Sequence, residues 1–231
     1  MGFSCLLLSG GVGSRINIGK PKQYINLNGT PMIIYSLMAI KEIKEIKELI
    51  VNYPKGEKKN LKKFIKLSGI KIKTKFVKAG KTRQKSVYKM IKEVSYKNII
   101  IHEAARPIVD KDTFKDLINA EFKNCGYMHE IPFTVAPVDS KTKLVTGSLK
   151  RDNLRNVLLP QKFETKLLKK AHKNSKKDSK IFTEDACLFV DNGYKFHFID
   201  GSDTNIKVTY KSDLIMAENI LSTNTREKDY N

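Results

Sequence analysis

Residues 3–8, Phe-Ser-Cys-Leu-Leu-Leu, form a short apolar run that leads directly into Ser9, Gly10, Gly11, Val12, Gly13, Ser14 and Arg15. A run of that length stopped by glycines reads as a strand buried on both faces, the kind that sits inside a parallel sheet. Such a strand needs helices on both sides, so the junction points to an α/β architecture. Successive glycines let the backbone approach a phosphate chain closely and aim its N–H groups at the oxygens. Many strand–helix turns carry glycine, so the loop alone is a weak signal of phosphate binding.

Two familiar phosphate motifs are excluded. Ile16 stands where a P-loop counted from Gly11 needs its second glycine, and where a dinucleotide loop needs its third. A dinucleotide site also needs an acid about 20 residues further on to hold the ribose. Residues 1–41 contain no Asp or Glu, and Glu42 is the first acid in the chain. Arg15, Lys20 and Lys22 in an acid-free stretch suit a triphosphate, whose charge calls for several cations.

Downstream, strand-like and helix-like runs alternate, the pattern of a mostly parallel sheet with helices on its faces. Pro31 opens a helix reaching to about residue 45, where the missing N–H is harmless. Strands are expected at 49–53, 70–77 and 98–102, the second of them alternating apolar residues with lysine. Helices are expected at 58–67, from about 82, and at 113–122. Between about 132 and 157 the helical period disappears, which predicts an extended β-arm leaving the main sheet. Helices at 164–171 and 185–192 follow, then strands at 194–199 and 206–209 and a closing helix at 212–221. Residues 222–231 read as a frayed tail. With no repeat and no linker, residues 1–221 form one expected domain.

At 231 residues with 40% hydrophobic content the chain can bury a real core. Cys5, Cys125 and Cys187 are odd in number and lack metal-ligand spacing, which fits a reducing compartment. With no signal peptide and no spanning segment, a cytoplasmic protein without membrane contact is expected. The net charge of +20 raises nucleic-acid binding as a rival function. The basic residues are spread along the chain, however, and aromatic residues do not interleave with them as a stacking platform requires. The charge reads as a lysine-rich habit that would also attract an anionic substrate.

Several separated blocks, in order, resemble the cytidylyltransferases that act on methylerythritol phosphate and on ribitol phosphate, two sister families of one fold. The glycine loop ends in Arg15 and is followed by Pro21, Lys22, Gln23 and Tyr24. The segment from Ala79 to Val87 is similar to the families' base-recognition segment. His102, Glu103, Ala104, Ala105, Arg106 and Pro107 resemble their His-Asp-Ala-Ala-Arg-Pro block. Pro160, Gln161 and Phe163, then Thr183 to Ala186, then Asn205 to Thr209, complete the set.

The resemblance implies a Rossmann-like nucleotidyltransferase fold and a reaction in which an acceptor phosphate oxygen attacks the α-phosphorus of CTP and pyrophosphate leaves. Positioning and charge neutralisation dominate such chemistry. It implies catalytic roles for Arg15, Lys22 and Lys207, with Ser9, Gly10, Gly11, Gly13, Gly80, Lys81, Ser86 and Ala104 around the nucleotide. Glu103, Arg106, Leu159 and an Arg151 contributed by the arm of a second subunit would meet the acceptor, in a homodimer. Mg²⁺ is expected on charge grounds, held mainly by the CTP phosphates, with Glu103 the protein carboxylate that would join it.

The chain departs from the pattern in places. Glu103 replaces the usual Asp, which shifts the carboxylate by about 1.5 Å. Leu159 replaces a Thr that meets the acceptor in methylerythritol-phosphate enzymes, Lys81 replaces a frequent acid, and the arm from Pro137 to Lys143 matches only loosely. The acceptor is therefore open between methylerythritol phosphate and a ribitol-phosphate-like alditol. A sugar 1-phosphate nucleotidyltransferase using another NTP is the rival enzyme reading, and the Lys22 and His102 blocks argue against it. His102 is expected to pack in the sheet, and no His pairs with Cys or Ser as in a hydrolase.

Overall fold

A computed structural model describes residues 2–13, 15–16 and 19–229, with side chains to residue 223. In chain order the strands are β1 (Phe3–Leu8), β2 (Asn26–Leu27), β3 (Thr30–Pro31), β4 (Ile46–Tyr53), β5 (Lys73–Lys78), β6 (Asn98–Glu103), β7 (Cys125–Glu130), β8 (Val138–Asp139), β9 (Leu144–Val145), β10 (Arg155–Glu164) and β11 (His197–Asp200). The helices are α1 (Met32–Lys41), α2 (Lys58–Leu67), α3 (Arg83–Ile91), α4 (Lys111–Asn119), α5 (Thr165–Lys177), α6 (Asp185–Asp191) and α7 (Lys211–Asp229).

Seven strands form one sheet in the order β11-β7-β10-β6-β1-β4-β5. β1 runs parallel to both β4 and β6, and β4 parallel to β5. β10 is antiparallel to β6 and to β7, and β7 is parallel to β11, so β10 alone runs against the rest. The expected mostly parallel α/β sheet is therefore present, with one reversed strand inside it.

The pleat sends successive side chains to opposite faces. Phe3, Cys5 and Leu7 of β1, with Leu49 and Val51 of β4, pack under α1, α2 and α4. Leu6, Leu8, Ile50, Ile99 and Ile101 pack on the other face beneath α3, α5 and α6. Burial on both faces explains the unbroken apolar run of β1. A third cluster joins Ile16, Leu27, Met32, Ala105 and Val208 to Ala217 of α7, and so ties the C-terminal helix to the glycine-loop end of the sheet.

Several expectations need correction. α1 ends at Lys41, and β4 begins at Ile46, earlier than the strand read from residue 49. Residues 206–209 form no strand; backbone bonds such as Val208 N to Ala105 O fix that segment instead. α7 continues to Asp229, so the residues read as a frayed tail are helical up to there, and residues 230–231 lie outside the described ones. The arm carries only the two-residue pairing of β8 with β9 and a 3-10 turn at Arg151–Asn153, and residues 155–157 belong to the main sheet. A strand as central as β10 was not read, because Asn156, Pro160, Gln161 and Lys162 break its apolar pattern.

Candidate active site

The glycine loop leaves the C-terminal end of β1 and is strung between two buried side chains. Asn52 of β4 accepts the Ser9 N–H through Oδ1 at 2.6 Å, and Gln23 donates from Nε2 to the Ser9 carbonyl at 2.7 Å. Gly10 passes so close to its neighbours that a Cβ there would lie 2.6 Å from both Ala79 Cβ and Asn52 Nδ2. Gly13 has φ +75°, in the left-handed region that favours glycine, and its own Cβ would press on the Lys22 backbone. Ser14 lies outside the described residues.

The loop borders an open cleft of about 430 Å³ at the ends of β1, β4 and β6. Ser9, Gly10, Gly11, Gly13, Arg15, Lys22, Gly80, Lys81, Ser86, Glu103 and Lys207 all line it, so most of the residues singled out from the sequence converge there. Its cationic lining of Arg15, Lys22, Lys81, Arg83 and Lys207 faces, among the described residues, the single carboxylate of Glu103. The arrangement is a cradle for a polyanion.

Lys22 follows a tight turn at the end of the loop and donates from Nζ to the Val208 carbonyl at 2.8 Å. Burial and the nearby Lys207 charge bring its pKa down to about 8. The Arg15 guanidinium stands over the Tyr210 ring at 5.8 Å. Lys207 places Nζ 2.7 Å from Glu103 Oε2, an ion contact without hydrogen-bond angles. Across the cleft, the Ser86 hydroxyl donates to the Thr82 carbonyl and accepts the Gly80 N–H, both at 2.9 Å. Thr82 caps α3 by accepting the Lys85 N–H, which fixes this wall.

Four expected site residues do not line the cleft. Ala104 is fully buried under α4, and its neighbour Ala105 reaches the cleft instead. Leu159 is 0% exposed in the core beneath α3 and α5, so its side chain does not face the cleft. Arg106 points inward, donating to the carbonyls of Asn205 at 2.7 Å and Val157 at 3.3 Å. Asn205 in turn donates to the Leu159 carbonyl at 2.6 Å. Arg106 thus braces the segment that delivers Lys207. Arg151 lies exposed on the arm, donating to the Pro132 carbonyl, away from its own chain's cleft. His102 packs in the sheet as expected; burial, with Arg106 nearby, brings its pKa down to about 4 and keeps it neutral.

Sequence reasoning missed Arg83. Its Nε meets Glu103 Oε1 at 2.8 Å, Nη1 meets Asp185 Oδ2 at 2.7 Å and Nη2 meets Glu184 Oε2 at 3.1 Å. Burial pulls against the charge, but the three carboxylates hold Arg83 protonated above the ordinary range. Burial also works against ionised Glu103, yet Arg83 and Lys207 hold it well below the usual carboxylate range. Glu184 moves the other way, to about 7, through burial and its acidic neighbours. Arg83 and the Thr183 block were both visible in the sequence, but nothing local shows that they meet across 102 positions.

Among the described residues no three His, Cys, Asp or Glu side chains gather to hold a metal. Both oxygens of Glu103 already face cations, so the carboxylate expected to join Mg²⁺ is occupied by Arg83 and Lys207.

The sequence profile of the 2-C-methyl-D-erythritol 4-phosphate cytidylyltransferases matches residues 4–223. The chain belongs to that family. It is 33% identical over 215 residues to the 2-C-methyl-D-erythritol 4-phosphate cytidylyltransferase of Dictyoglomus thermophilum, covering 91% of this chain and 93% of that one. With the enzyme of the same description from Bacillus mycoides it shares 29% identity over 220 residues, 95% and 97% of the two chains. The 4-diphosphocytidyl-2C-methyl-D-erythritol synthase structure from Anaerococcus prevotii superposes with a TM-score of 0.83 at 24% identity, covering 96% of each chain. The Thermus thermophilus cytidylyltransferase structure gives 0.75 at 24%, covering 95% and 98%. These two likenesses bear on the fold alone. The cytidylyltransferase thus keeps its family's architecture, and among the described residues no helix is long and apolar enough to cross a membrane.

Proposed function

We propose that this cytidylyltransferase transfers the CMP unit of CTP to 2-C-methyl-D-erythritol 4-phosphate, forming the CDP-polyol and pyrophosphate. The observation that carries the reading is the convergence of Arg15, Lys22 and Lys207 on the glycine loop. An acceptor phosphate oxygen forms a bond to the α-phosphorus while the bond from that phosphorus to the β-phosphate oxygen breaks. Negative charge passes to the leaving pyrophosphate, and fixed cations around it lower the barrier without forming a covalent intermediate. In this reading Arg15 and Lys22 neutralise the triphosphate from the loop side, and Lys207 faces the α-phosphate from the other. The wall at Gly80 and Ser86 holds the base and ribose.

The family and the names of its relatives support methylerythritol phosphate as the acceptor. The main residue that pointed away from it, Leu159, is core, so its identity does not report on the acceptor. A divalent cation would be held by the triphosphate oxygens in this reading, since among the described residues no three His, Cys, Asp or Glu side chains gather to hold one. A cytoplasmic setting fits Cys5, Cys125 and Cys187, all free thiols. The acceptor end of the cleft is completed in this reading by Arg151 from the arm of a second copy.

The test is pyrophosphate release from CTP with Mg²⁺, offering methylerythritol 4-phosphate and ribitol 5-phosphate in parallel. Turnover with the first and not the second is the expected result. Turnover with ribitol 5-phosphate alone would overturn the acceptor, and protein that fails to bind CTP would overturn the whole reading.

A further inference from the structure

Arg83 lines the cleft, yet each of its side-chain nitrogens already faces a carboxylate oxygen, with Glu103, Asp185 and Glu184 on three sides. A guanidinium committed in this way has no edge left to grip a phosphate in the bidentate manner that makes arginine a phosphate ligand. Its far side is fixed as well. Asp185 is 1% exposed and its second oxygen is held by His172 Nε2 at 3.0 Å. The His172 ring, itself 1% exposed, stacks on Tyr88 of α3 at 5.9 Å. Asp185 therefore cannot swing away, and neither can Arg83.

The near side is the one that reaches the reaction. Glu103 receives Arg83 on Oε1 and Lys207 on Oε2, both within 2.8 Å. A glutamate has one more rotatable bond than the family's aspartate, and without a second partner its carboxylate could follow the lysine. We propose that Arg83 is a positioning residue: it pins Glu103, and through that carboxylate it aims the Lys207 ammonium into the triphosphate cradle. Asp185 and His172 are the anchor of the relay. This inference rests on the reading of the cleft as a CTP site.

Two features favour positioning over a purely structural ion pair. The relay ends at a half-buried side chain that lines the cleft: the Lys207 side chain remains 33% accessible while every group behind it is more buried. The geometry also uses the fork of arginine, whose three nitrogens are spent on three separate carboxylates. Lysine, a single point charge, could replace only one of those contacts.

The experiment is a double-mutant cycle on the CTP dissociation constant, read by calorimetry for the wild type, Arg83→Lys, Lys207→Met and the double variant, with thermal midpoints recorded for each. Arg83→Lys is expected to weaken CTP binding about tenfold in the wild-type background and less than about twofold when Lys207 is already Met. The thermal midpoints report separately how much fold stability each variant loses, since Arg83 and Lys207 share Glu103 and their stability effects couple. Multiplicative losses of CTP affinity would overturn the relay. If Arg83→Lys does not fold, Asp185→Asn in the same cycle carries the test, with a smaller loss that also vanishes beside Lys207→Met. A wild-type protein that binds no CTP would instead sink the reading of the cleft, whereas normal wild-type binding with independent losses sinks only the relay.

Discussion

At the scale of single residues, burial and a crowd of cations make one lysine of the cleft give up its proton more readily than usual. Lys22 titrates near 8 in the free protein because burial and Lys207 both disfavour its charge. A bound triphosphate favours that charge, so binding above pH 8 must take up a proton. The sign follows: Lys22 is charged below its pKa, so CTP affinity is full at pH 7 and falls as pH rises through 8, toward about tenfold per unit. Dissociation constants measured from pH 6.5 to 9.5 check this, and Lys22→Met should remove that limb and bind weakly throughout. Gly10 makes a second residue-scale prediction. The Cβ of Gly10→Ala would sit 2.6 Å from Ala79 Cβ and from Asn52 Nδ2. Ala79 has no flexible side chain to yield, so the loop must move, at about 1–3 kcal/mol. A lower urea midpoint together with a raised KM for CTP is the expected outcome.

At the scale of elements, the site depends on how neighbouring strands end. β1 and β4 are parallel and in contact, so Asn52 near the end of β4 stands beside the point where β1 becomes the glycine loop. Its carboxamide is 1% exposed and gives the Ser9 N–H its acceptor. Asn52→Ala leaves that buried N–H unpaired, a cost of about 1–3 kcal/mol. Equilibrium unfolding should show the loss, and KM for CTP should rise while kcat changes less, because the defect lies in presenting the loop. The opposite wall is set by the Thr82 cap of α3, and the 205–208 segment is fixed by Arg106 and Asn205. Strand ends and a helix cap, more than the individual cations, therefore set the width of the cleft.

At the scale of the whole molecule, the arm is the part that the core does not support. Phe133 is 77% exposed, Val138 60%, Leu144 63% and Val145 68%, and none belongs to a buried cluster. Apolar side chains held out on the arm, three of them on its short hairpin, suit a surface covered by a second copy of the chain. Replacing residues 133–149 with a short Gly-Ser linker should leave the thermal midpoint of the remaining fold within a few degrees, since no core contact is lost. On the proposed dimer, sedimentation should then show a monomer in place of a dimer, with activity reduced because Arg151 would no longer reach a second copy's cleft. An intact chain that sediments as a monomer at micromolar concentration and still turns over would overturn the role of the arm.

The sequence by itself determined the features written in local periodicity and backbone freedom. These include the α/β alternation, β1 as a doubly buried strand, α2 to the residue, and the glycine loop with the cations that follow it. Each depends on neighbours within a few positions along the chain, where hydrogen-bond period, apolar spacing and glycine's missing Cβ act directly. Tertiary structure decided whatever depends on partners brought together from far apart. Arg106 and Arg83 are alike in sequence as arginines inside matched blocks, yet one braces two carbonyls and the other is spent on three carboxylates. Leu159 read as an acceptor residue by its place in a motif, and packing made it core. β10 escaped notice because its polar residues find buried partners only after folding: Lys162 donates to the carbonyls of Ile118 and Ala120. Whether a polar side chain faces solvent, substrate or a buried counter-charge is fixed by what folding sets opposite it, and linear order does not carry that information.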